Sequence, residues 1–340
     1  MNTQQLETVA GALVQESKGI LAADESTRTI TRRFDGVGLA SNEETRRAYR
    51  DLLFTTPGIE KWISGVILFD ETIHQAAGDG TPFPALLAGR GILPGIKVDA
   101  GAVDLAGSSG EKITEGLDGL RQRLAHYREL VARFAKWRAV ITIGERIPTR
   151  QCIDANAHAL ARYAALCQEA GITPIVEPEV LMDGDHSIER CEEVTGAVLG
   201  SVFATLREHG VLLEGMLLKP NMVVAGKSCP RQPAVAEVAV ATLRCLRRTV
   251  PAAVPGIVFL SGGQAPELAT EHLNAMNAMG PHPWELSFSY ARALQDPVLR
   301  AWQGKPANVP TAQRLFAHRA KCNGAARKGK YTKQMEDLAA

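Results

Sequence analysis

Eight short apolar runs recur along the chain and are separated by longer segments of mixed polarity. Their hydrophobicity is continuous rather than alternating, which is typical of parallel strands covered on both faces. The runs comprise residues 19–23, 66–69, 95–99, 139–143, 172–176, 212–218, 257–260 and 286–290. Pro174 weakens the fifth run as a strand, because a proline has no N–H to donate to a neighbouring strand.

The segments between these runs predict amphipathic helices. Apolar residues recur at spacings of three and four from Leu117 to Phe134 and from Ile188 to Leu206, as they do on one face of a helix. Residues 155–170 are rich in alanine and are followed by a glycine, which is a typical C-terminal cap. Alternating strands and helices are characteristic of an α/β fold.

No linker-like stretch of low complexity divides these units. We therefore expect a single (β/α)8 TIM barrel over residues 1–312, followed by a basic C-terminal segment or tail of the same domain, residues 313–340. A doubly wound open sheet is the main alternative, because the same strand–helix repeats build it. In a barrel, the functional side chains lie at the carboxyl ends of the strands.

The overall charge argues against nucleic acid or a membrane as the partner. Lys and Arg total 38 against 37 for Asp and Glu, which gives a net charge of +1. No apolar stretch reaches the roughly 20 residues that span a bilayer, and the first residues lack the form of a signal peptide. The six cysteines show no CxxC spacing, so we expect free thiols and a cytoplasmic protein.

The sequence contains no familiar motif for a metal or cofactor. The eight histidines are scattered, without a His-x-His or His-Glu-x-x-His pattern. Residues 183–186 (DGDH) offer oxygen and imidazole groups, but Asp and Gly favour a turn there. No Gly-x-Gly-x-x-Gly opens a helix, so a nicotinamide or flavin site has no basis. We expect neither a metal nor a cofactor.

Lys219 ends the sixth apolar run and is the first candidate for catalysis. Desolvation disfavours the charged form of an amine, and a neutral lysine can attack a ketone to form a Schiff base. A lysine at a strand end can equally extend its ammonium group to solvent. This segment by itself leaves both interpretations open.

Other charged residues, and one serine, lie near the ends of the remaining runs. A barrel would gather them around Lys219: Asp24, Glu25, Ser26, Lys97, Asp99, Glu177, Glu179 and Arg292. Lys136 and Arg138 precede the fourth run, so they join this cluster only if that strand begins earlier. The glycine-containing turn at 261–263, with an arginine opposite, suits a phosphate group. Together these features favour a lysine-imine enzyme acting on a phosphorylated carbonyl compound.

Seven motifs in the same order resemble the class I fructose-bisphosphate aldolases. They are KGILAADEST (18–27), GIKVD (95–99), FAKWR (134–138), IVEPE (175–179), LLEGMLLKPN (212–221), FLSGGQ (259–264) and FSYARALQ (288–295). The resemblance extends over about residues 5 to 332. It implies a (β/α)8 barrel, usually a homotetramer, that cleaves fructose 1,6-bisphosphate reversibly to dihydroxyacetone phosphate and glyceraldehyde 3-phosphate without a metal.

The same resemblance implies a role for each matching residue. The catalytic set would be Lys219 as nucleophile toward the C2 ketone, Glu177 as acid and base, Lys136 stabilising the intermediate, Glu179 holding the charge network, and Asp24 accepting the C4 hydroxyl proton. The C1 phosphate would bind Ser261, Gly262 and Arg292. The other phosphate and the sugar hydroxyls would be bound by Ser26, Arg33, Lys97 and Arg138.

Some features depart from the family pattern. Arg28 and Thr29 stand where the family commonly has glycine and serine, beside a phosphate-binding loop, so we expect affinity or loop mobility to differ. The chain stops at residue 340 without the longer tyrosine-ended tail of animal relatives, for which Tyr331 is no equivalent. Residues 314–333 carry seven basic and no acidic residues, and we expect a solvated, partly disordered terminus.

Three other functions stay open on the sequence. A related lysine-imine aldolase could prefer another phosphorylated ketose, such as fructose 1-phosphate. A metal-dependent aldolase is opposed by the scattered histidines, and a non-catalytic barrel by the intact set of lysines and carboxylates.

Overall fold

A closed barrel of eight parallel strands forms the centre of the molecule. This computed structural model describes the backbone of residues 3–339 and the side chains of residues 3–337. The strands are β1 Gly19–Ala23, β2 Ile63–Leu68, β3 Leu93–Lys97, β4 Gly101–Asp104, β5 Lys112–Glu115, β6 Phe134–Ile141, β7 Thr173–Val180, β8 Leu217–Leu218, β9 Gly256–Phe259 and β10 Glu285–Tyr290. The barrel closes in the order β1-β10-β9-β8-β7-β6-β3-β2, while β4 and β5 form a separate antiparallel hairpin. The predicted (β/α)8 barrel is thus confirmed.

Twelve α-helices lie among the described residues, most of them around the barrel. They are α1 Thr3–Leu13, α2 Thr27–Asp35, α3 Glu43–Phe54, α4 Asp70–Ile73, α5 Phe83–Gly89, α6 Leu120–Glu129, α7 Arg150–Glu169, α8 Ile188–Glu208, α9 Val235–Thr249, α10 Pro266–Ala278, α11 Arg292–Trp302 and α12 Val309–Ala326. Short 3₁₀ turns occur at Ile59–Lys61, Leu213–Gly215, Pro306–Asn308 and Lys333–Ala339. No helix in the described part of the chain is long and apolar enough to cross a membrane.

Side chains from α1 fill the amino-terminal half of the barrel interior. An apolar cluster joins this helix to inward-facing strand residues: Ala10, Leu13, Val14, Ile20, Ala22, Ile67, Phe134, Ile175, Leu217 and Val258. A methyl group on Gly95 would come within 2.4 Å of the Phe134 ring, so the strand backbone leaves no room for a side chain there. This close packing excludes water from one end of the barrel.

Strand β6 begins earlier than the apolar run of the sequence. Phe134 is its first residue and not the last position of the preceding helix, which ends at Glu129. Val131 lies between the two with a positive φ of 65°, where a helix cannot continue. The earlier start places Lys136 and Arg138 within the strand, on the face that Phe134 also occupies.

Strand β8 is only two residues long, and its neighbour β7 explains why. Val176 accepts a hydrogen bond from the backbone N–H of Lys219 at 2.8 Å, so the even-numbered residues of β7 face β8. Pro174 and Pro178 share this edge and have no N–H to donate. The strand predicted over residues 212–218 is therefore shortened, with a 3₁₀ turn at Leu213–Gly215.

The basic C-terminal segment is folded onto the barrel, so the expectation of a solvated, disordered terminus is wrong. Residues Val309–Ala326 form α12, in which Arg319 is 3% exposed. Arg327 follows the helix and donates hydrogen bonds to the carbonyl groups of Gln15 and Leu286 at 2.9 and 3.1 Å. These guanidinium groups meet backbone carbonyls and acids that are remote in sequence. The division at residue 312 stays a prediction.

Candidate active site

One cavity of about 470 Å³ opens at the carboxyl ends of the barrel strands. All twelve predicted site residues line it: Asp24, Ser26, Arg33, Lys97, Lys136, Arg138, Glu177, Glu179, Lys219, Ser261, Gly262 and Arg292. They come from seven strands and from the loops and helices that follow them, and the barrel brings these segments together because parallel strands end on the same side. The cavity also includes Glu25, Thr29, Arg32 and Ser289, which the predicted set omits.

Lys219 lies at the end of β8 and points into this cavity. Its residue is only 3% exposed, so the interpretation in which the ammonium group extends to bulk solvent is wrong. The Nζ atom lies 3.3 Å from Glu177 Oε1. A buried amine beside a carboxylate has both a nucleophile and a proton acceptor within reach of one substrate carbonyl.

Lys136 lies at the centre of the charged cluster. Its Nζ atom is 2.8 Å from Asp24 Oδ2, 3.2 Å from Glu177 Oε2 and 3.8 Å from Asp99 Oδ2. Burial alone would lower the pKa of Lys136, but the charges of Asp24, Glu177 and Asp99 raise the pKa well above its ordinary value. This amine therefore stays an ammonium group at neutral pH.

Asp24 follows β1 and is held in its charged form. Burial would raise the pKa of this carboxyl, but the ammonium groups of Lys136 and Lys219, with the hydrogen bond from Lys136, hold the pKa well below its usual range. The carboxylate is thus present at neutral pH in the wall of the cavity. It can accept a proton only from a substrate group whose acidity rises during the reaction.

Glu177 connects the two lysines through separate oxygens. Oε1 faces Lys219 and Oε2 faces Lys136. The Oε2 atom is buried, and the Lys136 ammonium group lies 3.2 Å from it. A substrate hydroxyl in the cavity can add a hydrogen bond to this carboxylate, which suits a residue that passes protons to and from the substrate.

Two further ion pairs hold the wall of the cavity. Arg138 Nε donates to Glu179 Oε2 at 2.5 Å, and Lys97 Nζ lies 2.7 Å from Asp99 Oδ1. Burial would lower the pKa of Arg138, but Glu179 raises it well above its ordinary value. The Arg138 backbone N–H also donates to Asp99 at 3.2 Å, which ties β6 to the loop after β3.

The loop after β9 faces the amino-terminal end of α11. Gly262 and Gly263 have φ values of 61° and 93°, a conformation that favours glycine. A methyl group on Gly263 would lie 3.0 Å from the Arg292 guanidinium group, so the glycine lets that group approach the loop. Backbone N–H groups, a helix amino terminus and an arginine meet here, as anion sites require.

Arg33 is already bound by carboxylates on two sides. It forms an ion pair with Glu25 and a second with Asp296 at 3.0 Å, while Glu25 also pairs with Arg50 Nη2 at 2.6 Å. Burial would raise the pKa of Glu25, but Arg50 and Arg33 lower it. Arg33 therefore contributes less free positive charge to the cavity than its sequence position suggests.

The two departures from the family pattern lie on different sides of the α2 amino terminus. Thr29 lines the cavity, and its hydroxyl lies 3.1 Å from the Ser26 hydroxyl. Arg28 is exposed and does not line the cavity. Arg32 and Arg292 line it and form no ion pair with residues 3–337, so their positive charges are available to an anionic substrate.

The comparisons with known proteins point to one family. A family model described as "Fructose-bisphosphate aldolase class-I" matches residues 5–340. A probable fructose-bisphosphate aldolase class 1 from Xanthomonas campestris pv. campestris is 59% identical over 332 residues, which cover 97% of this chain and 99% of that relative. A fructose-bisphosphate aldolase from Dictyostelium discoideum is 53% identical over 331 residues, covering 96% and 93%.

A solved structure gives the same result in three dimensions. The fructose-bisphosphate aldolase from Plasmodium falciparum, in complex with TRAP and a small-molecule inhibitor, superposes with a TM-score of 0.96 at 53% identity. The match covers 97% of this chain and 96% of that one. At this identity and coverage, the similarity extends to the family and not to the fold alone.

Proposed function

The chain belongs to the class-I fructose-bisphosphate aldolase family, and from this premise we propose that it cleaves fructose 1,6-bisphosphate through an imine on Lys219. Fructose-bisphosphate aldolases of class I are aldehyde-lyases, which break and form a carbon–carbon bond. The observation that carries the assignment of the nucleophile is a buried amine 3.3 Å from Glu177, inside a cavity lined by cations.

Imine formation is the first step. Glu177 first accepts a proton from the Lys219 ammonium group, and the neutral amine attacks the C2 ketone of the open-chain sugar. The carbinolamine then loses water as Glu177 returns that proton to the departing hydroxyl, which leaves the protonated imine. Lys136 supports this exchange, because its ammonium group lies 3.2 Å from Glu177 and stabilises the anionic carboxylate left behind. Glu179 keeps Arg138 in place beside the reacting groups.

Cleavage of the C3–C4 bond follows from the same cluster. Asp24 accepts the C4 hydroxyl proton, the C3–C4 electron pair moves into the protonated imine to give an enamine, and glyceraldehyde 3-phosphate leaves. A proton returned to C3, followed by hydrolysis of the imine, releases dihydroxyacetone phosphate and restores the amine. The protonated imine accepts the electron pair, so the cleavage step requires no Lewis acid.

The two phosphates fit the two cationic ends of the cavity. We assign the C1 phosphate to the loop at Ser261 and Gly262 with Arg292, whose guanidinium group lacks a carboxylate partner in residues 3–337. The second phosphate and the hydroxyls meet Ser26, Lys97, Arg138 and Arg33. Lys97, Arg138 and Arg33 are each paired with a carboxylate. They therefore add little net positive charge to this end of the cavity, and their main effect is to orient the substrate.

Substrate preference can be measured directly. The presence of cations at both ends favours the bisphosphate over fructose 1-phosphate, which leaves one end empty. We expect kcat/KM to be higher for the bisphosphate by at least about tenfold, the effect of one charge-assisted contact of about 1.4 kcal/mol. Equal values for the two sugars would support the fructose 1-phosphate alternative.

Assembly and location follow from the family alone. We propose a homotetramer in the cytoplasm that binds phosphorylated sugars and neither nucleic acid nor a membrane. Sedimentation equilibrium of the purified chain at micromolar concentration tests the first part, with a mass of four chains as the expected result. A tagged chain in fractionated cells tests the second part.

Trapping the imine tests the mechanism. Borohydride added with saturating dihydroxyacetone phosphate should reduce the imine to a stable secondary amine, which peptide mass spectrometry locates on Lys219. Lys136 and Lys97 line the same cavity and serve as internal controls, because they should stay unmodified. An adduct on either of them, or no adduct in folded protein, would falsify the assignment of the nucleophile.

A further inference from the structure

Three potential metal ligands meet outside the catalytic cavity, between α12 and the C-terminal segment. His318 and Cys322 lie four residues apart on α12 and therefore on the same face of that helix. Glu336 comes from the 3₁₀ turn Lys333–Ala339. The imidazole nitrogen, the thiol sulfur and a carboxylate oxygen all lie within 4.8 Å of one another, and none of these residues lines the catalytic cavity.

One imidazole nitrogen faces both of the other two groups. His318 Nε2 lies 3.2 Å from Glu336 Oε2 and 3.5 Å from Cys322 Sγ. In a Cys–His–acid catalytic arrangement the thiol and the acid face different ring nitrogens. Here both face the same nitrogen, so three possible donor atoms converge on one point. A cation between the three atoms accepts a lone pair from each of them.

Two of the three spacings between these atoms are close to those around a tetrahedral zinc ion, and the third, from sulfur to carboxylate oxygen, is within 4.8 Å. Zinc bonds of about 2.0–2.2 Å to nitrogen and oxygen and about 2.3 Å to sulfur place the N and O ligands about 3.3–3.5 Å apart, and the N and S ligands about 3.5–3.6 Å apart. The corresponding distances here are 3.2 and 3.5 Å. Three protein ligands leave the fourth position to a water molecule.

The carboxylate is oriented by a second set of contacts. Arg319 Nη1 donates to Glu336 Oε1 at 2.5 Å, and the Tyr331 hydroxyl donates to the same oxygen at 2.7 Å. Arg319 is itself held by the Thr270 hydroxyl at 2.5 Å and the Pro266 carbonyl at 3.1 Å. Oε1 is therefore occupied and Oε2 is left to face His318 and Cys322. Such contacts fix the orientation of metal ligands.

We propose that His318 Nε2, Cys322 Sγ and Glu336 Oε2 bind one Zn²⁺ ion that fastens the C-terminal segment to α12. A thiolate with an imidazole selects zinc over the hard ions Mg²⁺ and Ca²⁺. The thiolate and the carboxylate supply two negative charges to the ion, while Arg319 pairs with the other oxygen of the same carboxylate. Because the site lies apart from Lys219 and its neighbours, the ion has a structural role and the imine reaction proceeds without it.

Zinc titration of the full-length chain tests the proposal. The purified protein is stripped with a chelator, dialysed and titrated with Zn²⁺ by calorimetry, and we expect one zinc per chain and a higher Tm with zinc. The variants C322S and E336Q should each bind zinc at least about tenfold more weakly. Loss of a residue that only hydrogen-bonds to a metal ligand already weakens metal binding by about that factor. Cys229→Ser is the control, because Cys229 lies in the loop between β8 and α9 and not on α12, and it should bind zinc as the unchanged chain does.

Cobalt provides a second measurement that reports the thiolate directly. Co²⁺ added to the stripped chain should give a sulfur-to-cobalt charge-transfer band that is absent in C322S and present in Cys229→Ser. E336Q alters a partly exposed side chain, so it keeps the test valid if C322S does not fold. A band that persists in C322S, a stoichiometry near zero, or cleavage activity that is lost on stripping and restored by zinc would overturn the proposal.

Discussion

The two halves of the barrel interior differ in chemistry although the same strands build them. On β6, Phe134 packs against Leu13 and Gly95 in the amino-terminal half, whereas Lys136, two residues further along the same face, meets three carboxylates. The first half is closed by α1 and its apolar side chains, and the second is open and charged. Stability is therefore concentrated at one end of each strand and reactivity at the other, as is general for this fold.

This separation means that the charged half does not have to stabilise the fold. Buried ion pairs contribute little net stability, because desolvation offsets the Coulombic attraction. Close apolar packing contributes more, since both the transfer of apolar surface and the filling of space favour it. Substitutions in the two halves should therefore affect different measured quantities.

The largest expected effect is that of Lys219→Met on turnover. Removing the nucleophile should lower kcat by at least about 10⁴-fold. The free energy of unfolding should fall by less than the about 3–5 kcal/mol expected for an unpaired buried charge, because Lys136 still pairs with Glu177. Steady-state kinetics and urea unfolding measure the two quantities. Lys227→Met is the control: this exposed lysine pairs with Asp183 outside the cavity, so its activity should be unchanged. A large loss of stability in Lys219→Met would show that the charged half of the barrel also stabilises the fold.

Phe134→Ala should have the opposite profile. Loss of a fully buried ring should lower the free energy of unfolding by about 3–5 kcal/mol, while turnover per folded molecule stays far above that of Lys219→Met. Urea unfolding followed by fluorescence, with activity normalised to the folded fraction, provides the measurement. Leu268→Ala, at an exposed position of α10, should change stability by no more than about 0.5 kcal/mol. Equal losses at positions 134 and 268 would contradict the packing account.

Acid stability should change when Asp24 is replaced by Asn. The pKa of Asp24 is lowered in the folded state despite its burial, because Lys136 and Lys219 hold its charge. The unfolded chain takes up the proton below about pH 3.9 while the folded chain does not. Asp24 thus contributes stability above that pH, and this contribution is lost as the pH falls, with a slope of at most about 1.4 kcal/mol per unit. Urea unfolding between pH 5 and pH 2.5 should show a shallower loss for Asp24→Asn than for the unchanged chain, and parallel curves would argue against the ion pair.

The smallest effect is expected for Arg28→Ala, because this residue lies just outside the charged half of the barrel. Arg28 is exposed and does not line the cavity, and solvent screens its charge. The KM for the bisphosphate should change by less than about twofold, the scale of a weak surface interaction of a few tenths of a kcal/mol. Arg292→Ala, measured in the same assay, should raise KM far more. A similar rise in both variants would place Arg28 within reach of the phosphate.

Much of the fold and most of the site residues could be predicted from the sequence. Parallel strands covered on both faces require continuous apolar runs, and all eight runs correspond to barrel strands. Boundaries were less certain where charged residues enter a strand, because Lys136 and Arg138 interrupt the apolar pattern of β6. The β4–β5 hairpin, in which the residues of β4 are largely exposed, gave no such pattern and was missed.

The sequence by itself determined which residues end the strands, and so which side chains could meet Lys219, because strand ends follow from local hydrophobicity and the barrel topology. Only the tertiary structure decided how those charges are shared: Arg33 is bound by Glu25 and Asp296, while Arg292 has no carboxylate partner in the part of the chain that the structure describes. It also decided that the basic terminus packs on the barrel and brings Glu336 to His318 and Cys322. The sequence around a charged residue is the same whether its side chain is solvated or pairs with a residue far away in the chain. The pairing depends on contacts between segments far apart in the chain, and spacing along the sequence does not record them.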